Sequence, residues 1–209
     1  MKLEGEYVFN GPREAVWELM RDPAVLATAL PGTQSLEQVG ENEYEGAMNV
    51  RIGPVGGAFS GRIVISNEVS PKSYTLSVEG RGKPGHAKGT GDVHLIDQGD
   101  GTTLMKYEGE MQIGGRLAGV GQRLIDTASK SMIRQGLEAL NKALEARVAA
   151  QAKGREEIEY EAPSEAGFAA AVAKDMAGEM LSSKMVWIAI AAIVVIAIVA
   201  VIFISAGGS

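Results

Sequence analysis

Twenty consecutive residues near the C-terminal end, Met185 to Ile204, read MVWIAIAAIVVIAIVAVIFI and carry no charge. A helix of that length rises about 30 Å, the thickness of a bilayer's hydrocarbon core. Twelve of the twenty are Val or Ile, which are mediocre helix formers in water. In lipid that preference is overridden, because every backbone N–H and C=O has to be paired inside the segment. Trp187 stands near one end, where an indole can straddle the interface. A soluble core helix of this length would keep a polar edge. The segment is therefore expected to cross a membrane once, with a short tail at 205–209. The opening residues MKLEGEYVFN lack the apolar stretch of a secretory signal. Lys174 and Lys184 precede the span and nothing basic follows it. The positive-inside rule then puts residues 1–184 in the cytoplasm, tethered to the cytoplasmic membrane. The span holds no GxxxG dimerisation face.

The remaining length suits one globular domain. With 26 acidic and 20 basic side chains the net charge is -6, too negative for a broad nucleic-acid footprint. The chain has no cysteine, which excludes a disulfide scaffold, a thiolate zinc site and a Cys nucleophile. His86 and His94 are its two histidines, too few for a multi-histidine metal centre. No metal and no catalytic constellation is expected, and the chain is not expected to be an enzyme.

Residues 2–10 alternate, with Leu3, Gly5, Tyr7 and Phe9 on one face, as a half-buried strand does. Asn10-Gly11-Pro12 ends it, and Pro12 suits the first turn of a helix carrying Ala15, Val16, Leu19 and Met20. Asp22-Pro23 starts a second short helix that ends at Pro31-Gly32. Alternation returns through Tyr44–Ile52, Phe59–Ile65, Tyr74–Gly80, Ala87–Leu95 and Met105–Ile113, divided by turns such as Gly53-Pro54 and Gly99-Asp100-Gly101. From Leu117 to Val148 the period becomes helical, with Val120, Leu124, Ala128, Ile133, Leu137, Leu140 and Leu144 in one stripe edged by Met132. The expected order is strand, two short helices, six strands, long helix. Such a helix needs a cover, and a curved antiparallel sheet with an apolar concave face supplies one. The fold class is α+β, with residues 1–148 as the domain.

This order resembles the helix-grip fold of the START and polyketide-cyclase (SRPBCC) superfamily. Within it, the words Asp22-Pro23 with Pro31-Gly32, Ile52-Gly53-Pro54-Val55, Phe59 with Gly61, Gly114-Gly115-Arg116-Leu117-Ala118 and Gly121 through Ile125 are similar to those of the CoxG family of carbon monoxide dehydrogenase subunits. Gly136 departs from that pattern, where an aromatic residue is expected, and would leave extra room under the sheet. The resemblance implies association with a molybdenum-containing carbon monoxide dehydrogenase, or a related hydroxylase, and its attachment to the membrane.

A sheet wrapped round a helix cannot close tightly at both ends, and glycines at 46, 61, 80, 89, 91 and 109 fall on its inward face. They either permit bends or remove side-chain volume. The other inward strand residues are Met48, Phe59, Ile63, Leu76, Leu95, Met105, Tyr107 and Met111; Trp17, Leu30, Leu124 and Met132 face them from the helices. An adaptable, Met-rich apolar lining with one hydroxyl suits a ring with a lipophilic tail. Respiratory quinone (menaquinone or ubiquinone) is such a molecule. It would be a bound ligand, not a covalent cofactor.

Gly80-Arg81-Gly82-Lys83-Pro84-Gly85 spells GxGxxG, but Pro84 and a further strand follow where a dinucleotide site needs a helix. Arg116, Arg123, Lys130 and Arg134 recur at seven and four residues. They form either a solvated helix back or a stripe for anionic lipid or an acidic partner. Residues 149–184 form a linker, acidic at Glu156, Glu157, Glu159 and Glu161. As a coil it would span about 30–36 Å. Phe168, Val172, Met176 and Met180 predict a short amphipathic helix over 164–181, lying on the membrane or on a partner. The expected function is membrane recruitment of the dehydrogenase with quinone delivery. A general lipid carrier, a cyclase-like enzyme and a pure anchor with a filled head are the alternatives.

Overall fold

The computed structural model describes residues 1–30 and 32–152, with Ala170 and Lys174. The expected transmembrane span and amphipathic helix lie outside the described residues. Among those described, no helix is long and apolar enough to cross a membrane.

The chain runs β1 (Lys2–Phe9), α1 (Arg13–Leu19), α2 (Pro23–Ala29), β2 (Thr33–Gly40), β3 (Glu43–Ile52), β4 (Val55–Val69), β5 (Ser73–Gly82), β6 (Gly85–Asp97), β7 (Thr103–Gly114), a 3-10 turn (Gly115–Val120) and α3 (Gln122–Ala152). The strands form one curved antiparallel sheet in the order β1-β7-β6-β5-β4-β3-β2. All but β1 follow their neighbour directly, so short turns suffice, and β1 closes the far side against β7. Asp22 caps α2 by accepting from the N–H groups of Ala24 (3.0 Å) and Val25 (3.3 Å), while Pro23 fills a first-turn position where no donor is needed.

Two elements differ from the sequence expectation. The strand that alternation does not place is β2, whose apolar Leu36 and Val39 are out of step by one; Val39 is exposed. Register shifts between Thr33 and Ser35 and between Gln38 and Gly40 break its period of two. The long helix does not begin at Leu117. Gly121 adopts φ of 97°, a conformation that ends the 3-10 turn and lets α3 start at Gln122. At the other end α3 continues through Ala152, so the linker begins at 153.

Side chains meet in two separate cores. The larger joins Phe9, Val16, Leu19, Tyr44, Ile65, Tyr74, Val93 and Leu95 to Leu137, Leu140 and Leu144 of α3, beneath α1 and α2. The smaller joins Ile52, Phe59, Leu117 and Ala128 at the end where the 3-10 turn meets α3. The large core depends on close backbone approach: a Cβ on Gly11 would lie 2.8 Å from Leu144 Cδ2. The same end is pinned by polar contacts. Asn10 donates its N–H to Asn141 Oδ1 at 2.8 Å and its amide to Glu145 at 2.6 Å, and Thr103 Oγ1, fully buried, donates to the Gly11 carbonyl at 2.8 Å.

The register turns the inward glycines into a band. Gly46, Gly61 and Gly80 are cross-strand partners in one row, and Gly91 pairs with Gly109 two rows away. A Cβ on Gly61 would lie 2.5 Å from the Glu79 carbonyl oxygen, and one on Gly109 would lie 2.6 Å from that of Thr90. Gly46, Gly89 and Gly91 meet neighbouring backbone in the same way. These glycines therefore serve close backbone approach where the sheet bends. Gly80 alone of the six faces open space, its nearest neighbour 4.0 Å away. Gly61→Ala is expected to lower unfolding stability by about 1–3 kcal/mol, the cost of forcing a side chain into filled space, whereas Gly80→Ala should leave it unchanged or slightly raised. Leu144→Ala should cost about 2–5 kcal/mol. Urea unfolding of the three variants, followed by Trp17 fluorescence, checks these values.

Candidate functional site

Between the two cores the concave face is apolar but incompletely covered. One inward row runs Ile63–Val78–Gly89–Met111 and the next runs Gly61–Gly80–Ala87–Ile113. All eight are half-buried. The backbone of α3 comes close to the flanking strands β1 and β3 but stands away from the central strands β4–β7. Ordinarily side chains fill that separation; here glycines occupy part of the facing surface.

The twelve expected ligand-binding residues divide. Trp17, Leu95 and Met105 are buried in the large core and Phe59 in the small one. Trp17, for example, packs edge-on against Tyr74 at 5.5 Å with the Arg21 guanidinium 5.8 Å above it. Leu30, Met48, Ile63, Leu76, Tyr107, Met111, Leu124 and Met132 are half-buried. Of these, Met48 packs on the small core and Ile63, Leu76 and Tyr107 on the large one. Leu30, Met111, Leu124 and Met132 stand outside both, as does Val78, an inward residue by alternation that was not among the expected twelve. Val78 and Met111 share one inward row with Ile63. The extra room expected at Gly136 is not there: a Cβ would come within 3.2 Å of Leu30 Cδ2. Gly136 lets α2 seat on α3.

Four tyrosines face inward; Tyr7 packs edge-on against Phe9 at 5.0 Å, and the other three differ in their partners. Tyr44 donates to the Arg21 carbonyl at 3.2 Å, and Tyr74 reaches Met20 Sδ at 3.8 Å. The half-buried Tyr107 lays its hydroxyl over Gly5 of β1, where a Cβ would collide with it. Burial raises the Tyr107 pKa above its ordinary value, so the phenol remains a protonated donor at neutral pH. The inward rows Ile63–Val78–Gly89–Met111 and Gly61–Gly80–Ala87–Ile113 carry neither carboxylate nor imidazole; Asp97, on the inward register at the exposed end of β6 opposite Thr103, carries a carboxylate.

Other expected features fall elsewhere. Arg123, Lys130 and Arg134 are exposed on α3, but Arg116 lies on the 3-10 turn before the break at Gly121 and does not share their face register. Lys130 helps depress the Glu4 pKa, behind Lys2. Phe168, Val172, Met176 and Met180 lie outside the described residues. The GxGxxG segment is the β5–β6 hairpin, not a helix start. His86 and His94 are exposed on outward positions of β6, cross-strand from Arg81 and Lys106 respectively. No group of three or more potential metal ligands occurs among the described residues.

No curated protein matches the sequence. Among solved structures, a conserved protein from Geobacillus kaustophilus is similar with a TM-score of 0.67 at 28% identity, over 69% of this chain and 95% of that one. The Zhui aromatase/cyclase from Streptomyces sp. R1128 is similar in fold, with a TM-score of 0.53 at 15% identity over 72% of this chain and 97% of that one. A di-domain ARO/CYC protein, BexL, gives 0.51 at 18% identity over 71% of this chain and 47% of that one. The model of the CoxG family of carbon monoxide dehydrogenase subunits matches residues 5–145. That match takes in most of β1, all of β2–β7 and most of α3, so the chain belongs to the carbon monoxide dehydrogenase CoxG family.

Proposed function

We propose that the domain binds a lipophilic ligand on the concave face, that the ligand is a respiratory quinone, and that residues 185–204 hold the domain at the membrane. There it would serve a molybdenum-containing carbon monoxide dehydrogenase or a related hydroxylase. The observation that carries the reading is the half-buried inward row of Ile63, Val78 and Met111, of which Val78 and Met111 stand outside both filled cores. Covering such a surface is favourable by about 25 cal/mol per Å², and a flat ring with an isoprenoid tail is an apolar body of matching character. Tyr107 supplies a donor for a quinone carbonyl. The family match supports the partner. A dehydrogenase releases an electron pair, the membrane's acceptor is dissolved in lipid, and a tethered carrier joins the two. The reading as carrier and not catalyst is supported by the lack of carboxylate and imidazole on the two inward rows Ile63–Val78–Gly89–Met111 and Gly61–Gly80–Ala87–Ile113.

Native mass spectrometry of the full chain from its own membranes is expected to find a quinone-sized adduct. Gly80→Val, which projects into open space, should keep the fold and weaken menaquinone or ubiquinone binding at least tenfold. Tyr107→Phe should weaken it about three- to tenfold, the worth of one hydrogen bond. A chain that carries phospholipid and ignores both quinones identifies a general lipid carrier; one that binds nothing identifies a filled anchor. Deleting residues 185–209 should move the chain from the membrane pellet to the soluble fraction, and an unchanged pellet would refute the anchor.

A further inference from the structure

Charge is divided unevenly between the two ends of the domain. Residues 46–60, 80–91 and 111–125 meet at the end where α3 begins, as the β3–β4 hairpin, the β5–β6 hairpin and the 3-10 turn with the first residues of α3. They hold six arginines and lysines and no carboxylate. Pro84 joins the three: a Cβ on Gly57 would lie 2.9 Å from its Cγ, and Leu117 donates its N–H to its carbonyl at 3.0 Å. The carboxylates that border these segments are Glu45, Glu79, Asp92, Glu110 and Asp126. Glu45 and Glu79 alternate with Arg62 and Lys88 along one cross-strand row, so that row is balanced. Glu110 stands opposite Lys2, Asp92 accepts from Thr75 at 2.6 Å, and Asp126 accepts from Gln122 at 2.8 Å. Beyond them, Arg51, Arg81, Lys83, Arg116 and Arg123 are exposed. Among the described residues none of these five forms an ion pair.

We propose that this end of the domain docks on an anionic bilayer surface. A chain with a net charge of -6 is repelled by such a surface unless it presents a basic face, and this end is one. Each arginine or lysine held near anionic headgroups adds to the attraction. The tips between the cations, Gly53-Pro54 and Ala118-Gly119, are exposed, small and uncharged, so they can enter the headgroup layer while the cations stay with its phosphates. An acidic protein would have to match charges spread over three loops, whereas a bilayer presents its charge everywhere. The tether permits the orientation. α3 carries the chain about 45 Å away from this end, and the 32 residues between Ala152 and Met185 can reach back about 110 Å. Docking turns the loop end to the lipid and leaves the β6–β7 turn pointing away. The proposal rests on the membrane reading only in that residues 185–204 bring a bilayer within reach, and it is independent of the ligand.

The chain has no cysteine, so Ala118→Cys and, at the opposite end, Glu41→Cys each give one site for a fluorescent label. The full chain is placed in nanodiscs of neutral phosphatidylcholine or of phosphatidylcholine with phosphatidylglycerol, and the label is quenched with acrylamide, which is uncharged. At residue 118 quenching is expected to be at least about threefold weaker in the anionic discs than in the neutral ones, and at residue 41 equal in both. The difference should vanish between about 0.05 and 0.5 M salt, as the screening length shrinks. Replacing Arg51, Arg81, Lys83 and Arg116 by Gln should abolish it while the urea midpoint stays unchanged. A chain held by both discs with residue 118 equally open overturns the docking and leaves the anchor standing. A chain held by anionic discs alone, with residue 118 protected, upholds the docking and refutes the anchor, and a chain held by neither refutes both. Protection in detergent that grows with protein concentration identifies a second copy as the occupant; protection by polyglutamate but not by anionic discs identifies an acidic protein. Either overturns the proposal.

Discussion

The structure depends on how sharply one sheet can be bent. An antiparallel sheet of ordinary residues resists strong coiling, because each inward Cβ needs room above its neighbour's backbone. Here that room is missing at Gly46, Gly61, Gly89, Gly91 and Gly109, where the next strand's carbonyl already occupies the place a side chain would take. The glycines weaken their strands locally. In exchange the sheet curves enough to bring its flanks, β1 and β3, to the same helix while its centre stands off.

The two cores follow from that shape. A sheet that touches its helix at the flanks and at both ends can fill the ends with large side chains. Phe9, Leu19 and Leu144 do so at one end and Ile52, Phe59 and Leu117 at the other. Burial of these residues stabilises the domain without help from the middle. The middle is then free to remain apolar and half-covered. Its side chains, Met111 and Met132 among them, are of the unbranched, adaptable kind that tolerates different occupants. Stability and the site are thus largely separated in space; Gly61 and Gly80, partners in one row, differ because a Cβ meets the Glu79 carbonyl at Gly61 and open space at Gly80.

Much of this was legible in the chain. Alternation marks β1 and β3–β7 because each has one apolar face, and a one-residue slip would put the wrong residues in water. The helix-forming stretches announce themselves through Pro12, Asp22-Pro23 and the stripe on α3. What alternation reports is the face a residue occupies, not its distance from the ends of the sheet. Trp17, Phe59, Leu95 and Met105 therefore look like lining in the sequence, although they pack the cores. The same limit hides the role of the glycines: a missing Cβ has no direction in a sequence, so bending and hollowing look alike. Leu117 keeps step with the helical stripe although Gly121 separates it from α3, because a positive φ leaves no trace in hydrophobic spacing. β2 escapes notice because its two bulges shift Leu36 and Val39 out of phase.

On the proposed reading, the incomplete cover of the site matters as much as its apolarity. A carrier has to release what it binds. A ligand enclosed on all sides by well-packed side chains leaves slowly, since affinity differences are expressed mainly in the rate of dissociation. A band flanked by two rigid cores but open between them gives a modest burial term and, in Tyr107, one oriented hydrogen bond. Low intrinsic affinity is then no handicap, because the tether sets the concentration. Some 32 residues separate Ala152 from the apolar segment beginning at Met185, and a coil of that length has a root-mean-square span of about 28–34 Å. Within such a radius of the lipid surface, exchange with dissolved quinone is limited by encounter over a few nanometres. The site can be shaped for turnover and leave retention to the anchor.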